Sequence, residues 1–244
     1  MAAPWLVVPA AGRGTRMCAD CPKQYLPLEG ATVLESTLAR LHAAFPEATL
    51  LLCLDPEDRW FRPAMVPFDA WQRIDGGAER ADSVRAAIDW LIPHADGRDR
   101  VLIHDVARPC VTVEDLRRFD EATAHDEIGG LLAAPVTDTL KREGAEARVE
   151  ATVPRAGLWR ALTPQGFRLE VLKAAFDDAL EAGFLMTDEA SGVERLGLAP
   201  RLVRGRSDNL KITHPEDLAL AALILRAQRE RTGTHSPPGQ GVFA

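Results

Sequence analysis

Trp5-Leu6-Val7-Val8-Pro9 runs straight into Ala10-Ala11-Gly12-Arg13-Gly14-Thr15-Arg16-Met17. The first five residues are apolar without alternation, as expected for a strand buried on both faces. Such strands belong to parallel sheets covered by helices on either side. The stretch that follows ends the strand in a turn. Gly12 and Gly14 carry no Cβ, so main-chain N–H groups there can approach an anion. The pattern is not a Walker A loop, and Met17 stands where a dinucleotide fingerprint needs its third glycine. On its own, the loop fits a structural turn as well as a phosphate cradle.

Moving outward, Thr32 with Glu35 three residues on forms a capping box, followed by Val33, Leu34, Leu38 and Leu41 at helical spacing. The pattern predicts strands at 49–54, 73–75, 100–104, 130–136 and 199–204, and helices at 81–91, 169–182 and 188–196. Thr112 with Asp115 starts a further helix in capping-box style, and Thr213 with Glu216 caps a last one running to about Arg231. Residues 137–154 turn polar, with a few alternating apolar positions, and read as an exposed two-stranded arm. The stretch 232–244 has no periodicity and is expected to be mobile. Strands alternating with helices predict one α/β domain over residues 1–231, a Rossmann-like, mostly parallel sheet with helices on both faces. Ligands bind such sheets at the carboxyl ends of the strands.

Composition narrows the function. The 244 residues hold 29 Lys+Arg against 36 Asp+Glu, a formal charge of −7, which argues against nucleic-acid binding as the default. The apolar run Leu218–Leu225 is far shorter than the roughly 20 residues that span a bilayer, so no membrane segment is expected. No positive charge precedes the apolar Ala2–Ala11, which speaks against a signal peptide and for a cytoplasmic protein. Cys18 and Cys21 form a C-x-x-C, but no second Cys or His pair lies at zinc-finger spacing. With Cys53 and Cys110 they read as incidental thiols.

The residues able to carry chemistry cluster at loops after strands. Arg16 and Lys23 bring two cations to the glycine loop. Surface cations are usually only solvated, yet just four of the 29 Lys+Arg residues are lysines: 23, 141, 173 and 211. In so arginine-rich a chain, a lysine beside a glycine loop suggests a compact ammonium against a phosphoryl oxygen. Lys211, in Ser207-Asp208-Asn209-Leu210-Lys211, invites the same argument. Gly76-Gly77-Ala78-Glu79-Arg80-Ala81-Asp82-Ser83 reads either as a glycine turn with a helix cap or as a site loop. In His104-Asp105-Val106-Ala107-Arg108-Pro109, an Asp could hold a magnesium-bound triphosphate and an Arg a phosphate, or the two could simply pair. Thr187-Asp188-Glu189-Ala190-Ser191 is a helix N-terminus or an anion contact.

Together the segments resemble the 2-C-methyl-D-erythritol 4-phosphate cytidylyltransferase family. The matching stretches are PAAGRGTRM at 9–17, PKQYL at 22–26, GGAERADSV at 76–84 and HDVARP at 104–109. APVTDTLK at 134–141, GLWRALTPQ at 157–165, TDEAS at 187–191 and GRSDNLKIT at 205–213 follow in the family's order. Val106 stands where the family usually has Ala, and Gly192 is also atypical.

The resemblance implies a nucleotidyltransferase fold with a protruding β-arm for dimerisation, and the reaction of CTP with methylerythritol phosphate to give the CDP-methylerythritol and pyrophosphate. It implies Arg16, Lys23 and Lys211 as catalytic cations. Ala10, Ala11, Gly12, Gly14, Thr15, Gly77, Arg80, Ser83 and Asp105 would line the nucleotide. Asp105, Arg108, Thr139, Arg155, Thr163, Thr187 and Asp208 would serve the acceptor. A homodimer with arm-shared sites is implied, as is magnesium held mainly by the CTP phosphates, with no residue assigned as its ligand. Two alternatives stand beside this reading: a pentitol-phosphate cytidylyltransferase using ribitol 5-phosphate, and a non-catalytic nucleotide-binding module.

Overall fold

The computed structural model describes residues 3–12, 17 and 20–233, so residues 234–244 of the expected mobile stretch lie outside it. Strand β1 is Trp5–Pro9, and its neighbours in the sheet are β4 (Thr49–Leu54) and β6 (Arg100–Ile103), both parallel to it. Beyond β4 lies β5 (Trp71–Asp75), and beyond β6 come β10 (Trp159–Arg168), β7 (Gly129–Pro135) and β11 (Arg201–Arg204). The seven-stranded order is β11-β7-β10-β6-β1-β4-β5, parallel throughout except for β10, which runs antiparallel to both β6 and β7.

The uninterrupted apolar strands explain the two-sided burial. Leu6, Val8, Leu50, Leu52 and Leu102 face one layer, with helices α1 (Val33–Ala44) and α3 (Val113–Thr123) supplying Leu34, Leu38, Leu41, Leu116 and Phe119. The alternate residues Val7, Leu51, Val101 and Ile103 face the other layer. There α2 (Arg80–Leu91), α4 (Leu169–Glu181) and α5 (Glu189–Arg195) contribute Val84, Ile88, Leu91, Leu172, Phe176 and Val193. Helix α6 (Pro215–Thr232) packs Ala221 and Leu225 on a third cluster with Leu28, Val33 and Ile212.

Local signals set most boundaries. Thr32 Oγ1 accepts from the Glu35 N–H and the Glu35 carboxylate accepts in return from the Thr32 N–H, the full capping box at the start of α1. Two expected caps are corrected. Thr112 Oγ1 does accept from the Asp115 N–H, but the buried Asp115 carboxylate accepts from the Arg206 N–H (2.8 Å) and from Arg118 rather than closing a box. At α6 the cap lies one residue later than Thr213–Glu216: His214 is the N-cap, Pro215 fills the first helical position, and Asp217 accepts from the N–H groups of both Thr213 and His214.

Several elements escaped the sequence reading. Lys23–Tyr25 forms a 3-10 turn, β2 (Pro27–Leu28) and β3 (Ala31–Thr32) make a short hairpin, and β10 is a full central strand. Residues within 137–154 do form an antiparallel pair, β8 (Leu140–Glu143) with β9 (Val149–Val153), largely exposed.

Candidate active site

A pocket of about 260 Å³ opens at the carboxyl ends of β1 and β6 and against the loop after β5, where strand order reverses around β1. Its walls include Ala10, Ala11 and Gly12 after β1, Gly77, Arg80 and Ser83 at the start of α2, Asp105 after β6, and Lys23 and Lys211. Gly14, Thr15 and Arg16, expected beside them, lie outside the described residues, as does Cys18.

Each wall residue is held by identifiable contacts. Buried Gln24 donates from Nε2 to the Ala10 carbonyl at 2.7 Å, tying the 3-10 turn to the end of β1. Lys23 Nζ donates to the Ile212 carbonyl at 3.0 Å, next to Lys211 in sequence. Ser83 Oγ accepts from the Gly77 N–H at 3.2 Å and lies 3.3 Å from the Glu79 carbonyl, so its hydroxyl braces the glycine turn. Gly76 is required there: a Cβ on it would stand 2.5 Å from Ala11 Cβ and 2.8 Å from Ser83 Oγ.

Asp105 is the electrostatic centre. Oδ1 accepts from Arg80 Nε at 2.7 Å, while Oδ2 lies 2.9 Å from Lys211 Nζ and 3.5 Å from Arg108 Nε. Burial alone would raise its carboxyl, but Arg80, Lys211 and Arg108 together hold it far below the usual carboxylate range. Arg80 also reaches Glu189 with Nη1 and Nη2, at 2.6 and 3.0 Å. Burial works against its charge, and the two carboxylates overcome that and raise it. Arg108 differs: burial lowers it despite Asp105, and its Nη1 donates to the Asn209 carbonyl at 2.8 Å.

Beneath Asp105 runs a directed chain of hydrogen bonds. The Asp105 N–H donates to Thr163 Oγ1 at 3.1 Å, and that hydroxyl faces His104 Nδ1 at 3.0 Å. His104 Nε2 lies 3.2 Å from the Arg108 carbonyl, which can only accept, so we assign the Nε2–H tautomer with Nδ1 receiving the Thr163 proton. Burial first and foremost lowers His104, to about 4, and keeps it neutral. Thr163 Oγ1 is thereby spent on internal partners, and its main-chain carbonyl accepts from Asn209 Nδ2.

The remaining expected residues lie elsewhere. Thr187 is exposed, on a neighbouring pocket that shares Glu79 and Arg80 with the first. Asp208 pairs with Arg206 at 2.6 Å and lines a separate cleft of about 930 Å³ beyond the ends of β7 and β11. Thr139 and Arg155 are exposed on the arm and its base, where Arg155 donates to the Thr137 carbonyl. Neither lines the pocket that holds Lys23 and Lys211. The sequence reading missed the structural work of Gln24, His104 and Glu189. Gln24 lies in the quoted PKQYL stretch and Glu189 in TDEAS, but nothing local marks their partners.

A doubly wound sheet whose strand-end pocket carries glycine turns together with Lys23, Lys211 and Arg80 has the features a nucleotidyltransferase requires. The profile of the 2-C-methyl-D-erythritol 4-phosphate cytidylyltransferase family matches residues 5–227. The chain belongs to that family, and its reaction is cytidylyl transfer from CTP to 2-C-methyl-D-erythritol 4-phosphate. The enzyme of that name from Chromohalobacter salexigens is 60% identical over 235 residues, 95% of this chain and 94% of its own length. A crystal structure of 4-diphosphocytidyl-2C-methyl-D-erythritol synthase superposes with a TM-score of 0.79 at 35% identity, covering 92% of this chain and 99% of the other. The 2-C-methyl-D-erythritol 4-phosphate cytidylyltransferase from Thermus thermophilus gives 0.75 at 34% identity, covering 93% and 100%.

Proposed function

We propose that the transfer is a direct in-line displacement driven by cations, without a general base. The observation that carries this reading is the convergence of Lys23 and Lys211 on one pocket, with Lys211 Nζ 2.9 Å from Asp105 and Lys23 Nζ on the neighbouring Ile212 carbonyl. A phosphate monoester has its second pKa near 6, so the acceptor arrives largely as a dianion. The remaining barrier is bringing anion to anion and stabilising charge on the transferring phosphoryl group, which fixed cations and amide dipoles can supply. Arg16, Lys23 and Lys211 take that role. The backbone from Ala10 through Gly12 and Gly14 to Thr15 cradles the triphosphate, while Gly77, Arg80 and Ser83 face the nucleoside.

The acceptor lies on the Asp105 side beside Arg108, with Thr163 acting through the Asp105 N–H, and Thr187 and Asp208, which lie on the neighbouring pocket and the separate cleft, contact it from outside this pocket. Thr139 and Arg155, exposed and away from this pocket, serve the site of a second copy, so the working unit is a homodimer with exchanged arms. Magnesium arrives with CTP as part of the substrate, its ligands being phosphate oxygens and water. The buried carboxylate of the pocket, Asp105, already faces three cations and is ill suited to hold it. Among the described residues no helix is long and apolar enough to cross a membrane.

The test is complementation. Arg155→Ala and Lys23→Ala chains, each feeble alone in pyrophosphate release, should regain activity when mixed, because one site of a mixed dimer then holds both intact residues. Mixed dimers without recovery would overturn arm exchange.

A further inference from the structure

The geometry points to Glu189 as a positioning residue that locks Arg80 in place and, through it, the Asp105–Lys211 pair. Its side chain is 1% exposed, and both carboxylate oxygens accept from Arg80. Arg80 Nε continues to Asp105 Oδ1, and Asp105 Oδ2 faces Lys211. One planar guanidinium therefore spans from the first turn of α5 to the end of β6, gripped at one end by Glu189 and on its flank by Asp105. A lysine has no such fork and could not bridge the two.

Stability alone is a weak reason for this arrangement, since a buried ion pair gains little over well-packed apolar residues. The backbone around Glu189 is itself clamped to β10. Gln165 Oε1 accepts from the Ala190 N–H at 2.9 Å, and Gln165 Nε2 donates to Asp188 Oδ2 at 2.8 Å. Asp188 and Ser191 close the capping box on either side. Glu189 thus presents a fixed carboxylate. When the polyanionic nucleotide enters the pocket that Arg80 lines, an unrestrained guanidinium would swing onto the phosphates. Asp105 would then lose its Oδ1 partner, and Lys211 would lose its fixed counter-ion. Glu189 prevents that swing, so Lys211 keeps the position from which it meets the charge of the transition state.

This rests on the reading of Lys211 as a transition-state cation, so Lys211→Ala is measured alongside. In the full-length enzyme with CTP, magnesium and methylerythritol phosphate, Glu189→Gln should lower kcat on the order of 10- to 100-fold, the scale of a small misplacement of catalytic groups. The KM for CTP should change less than about threefold, and thermal melting should fall while the variant stays folded at the assay temperature, because Arg80 loses one of its two buried carboxylates. Glu189→Asp, charged but too short to grip both Nη groups, should fall between, and it serves if the Gln variant does not fold. In an Arg80→Lys background, Glu189→Gln should add less than about threefold, because the bridge is already gone. A folded Glu189→Gln enzyme with unchanged kcat, a loss confined to KM or melting, or an unreduced effect in the Arg80→Lys background each overturns the inference. If Lys211→Ala keeps its kcat, the reading of Lys211 falls and this inference with it. If Lys211→Ala loses kcat while Glu189→Gln does not, only the inference falls.

Discussion

Gln24 and Ala10 lie 14 residues apart, and the side chain of the first donates to the carbonyl of the second at 2.7 Å in the buried floor of the pocket. That bond fixes the turn carrying Lys23 against the strand that launches the glycine loop. Gln24→Met keeps the volume and removes the donor, leaving a buried carbonyl without it. The expected cost is about 1–3 kcal/mol in denaturant unfolding, together with a lower turnover as Lys23 loses its support.

Lys23→Ala and Arg16→Ala should lower kcat far more than they weaken CTP binding, because interactions made mainly in the transition state appear in kcat. Steady-state kinetics beside equilibrium CTP titration separates the two. A parallel loss of CTP affinity would assign these cations to ground-state binding.

Gly76→Ala drives a methyl into Ala11 Cβ and Ser83 Oγ, 2.5 and 2.8 Å away. Overpacking of this kind costs about 1–3 kcal/mol, and here the displaced atoms belong to the nucleotide wall. The KM for CTP should rise while circular dichroism stays that of the unsubstituted protein. An unchanged KM would show that the Ala11 segment yields without consequence.

His104 should make the enzyme acid-sensitive before its carboxylates do. Its folded-state value is about 4 against an ordinary 6.5. Between the two, the unfolded chain takes up a proton that the folded chain refuses. Stability is therefore complete above pH 6.5 and drains as the pH falls towards 4, by up to about 3 kcal/mol. Asp105, held low by its cations, starts to lose its contribution only on entering the ordinary carboxylate range. Unfolding free energies from about pH 7.5 to about pH 4.5 should slope in the native protein and flatten in His104→Gln. Equal slopes would remove His104 as the cause.

Elements that announce themselves locally were legible in the sequence. Thr32 and Glu35 are three residues apart, and the Trp5–Pro9 strand is apolar throughout. β10 was hidden because Pro164 and Gly166 interrupt it, and both look like strand breakers. Pro164 is tolerated because it falls in the register shift between Ala161 and Gln165, where the ladder with β7 is already broken. The cap of α6 slipped by one residue because Asp217 serves two N–H groups at once. In the site, the cations and glycines could be read from their loops. The partnership of Arg80 with Glu189 could not, since 109 positions separate them and only the sheet order brings them together.

The antiparallel strand β10 serves two places at once. It begins at Trp159, beyond the turn at 154–158 that follows the arm strand β9, and four positions later, at Thr163, holds the backbone of Asp105. The turn between arm and strand is short and tied, with the Leu158 N–H donating to the Arg155 carbonyl and the Val136 N–H to the Leu158 carbonyl. One strand therefore carries both the return from the exposed hairpin and the hydroxyl that holds the backbone of the most heavily paired carboxylate among those described.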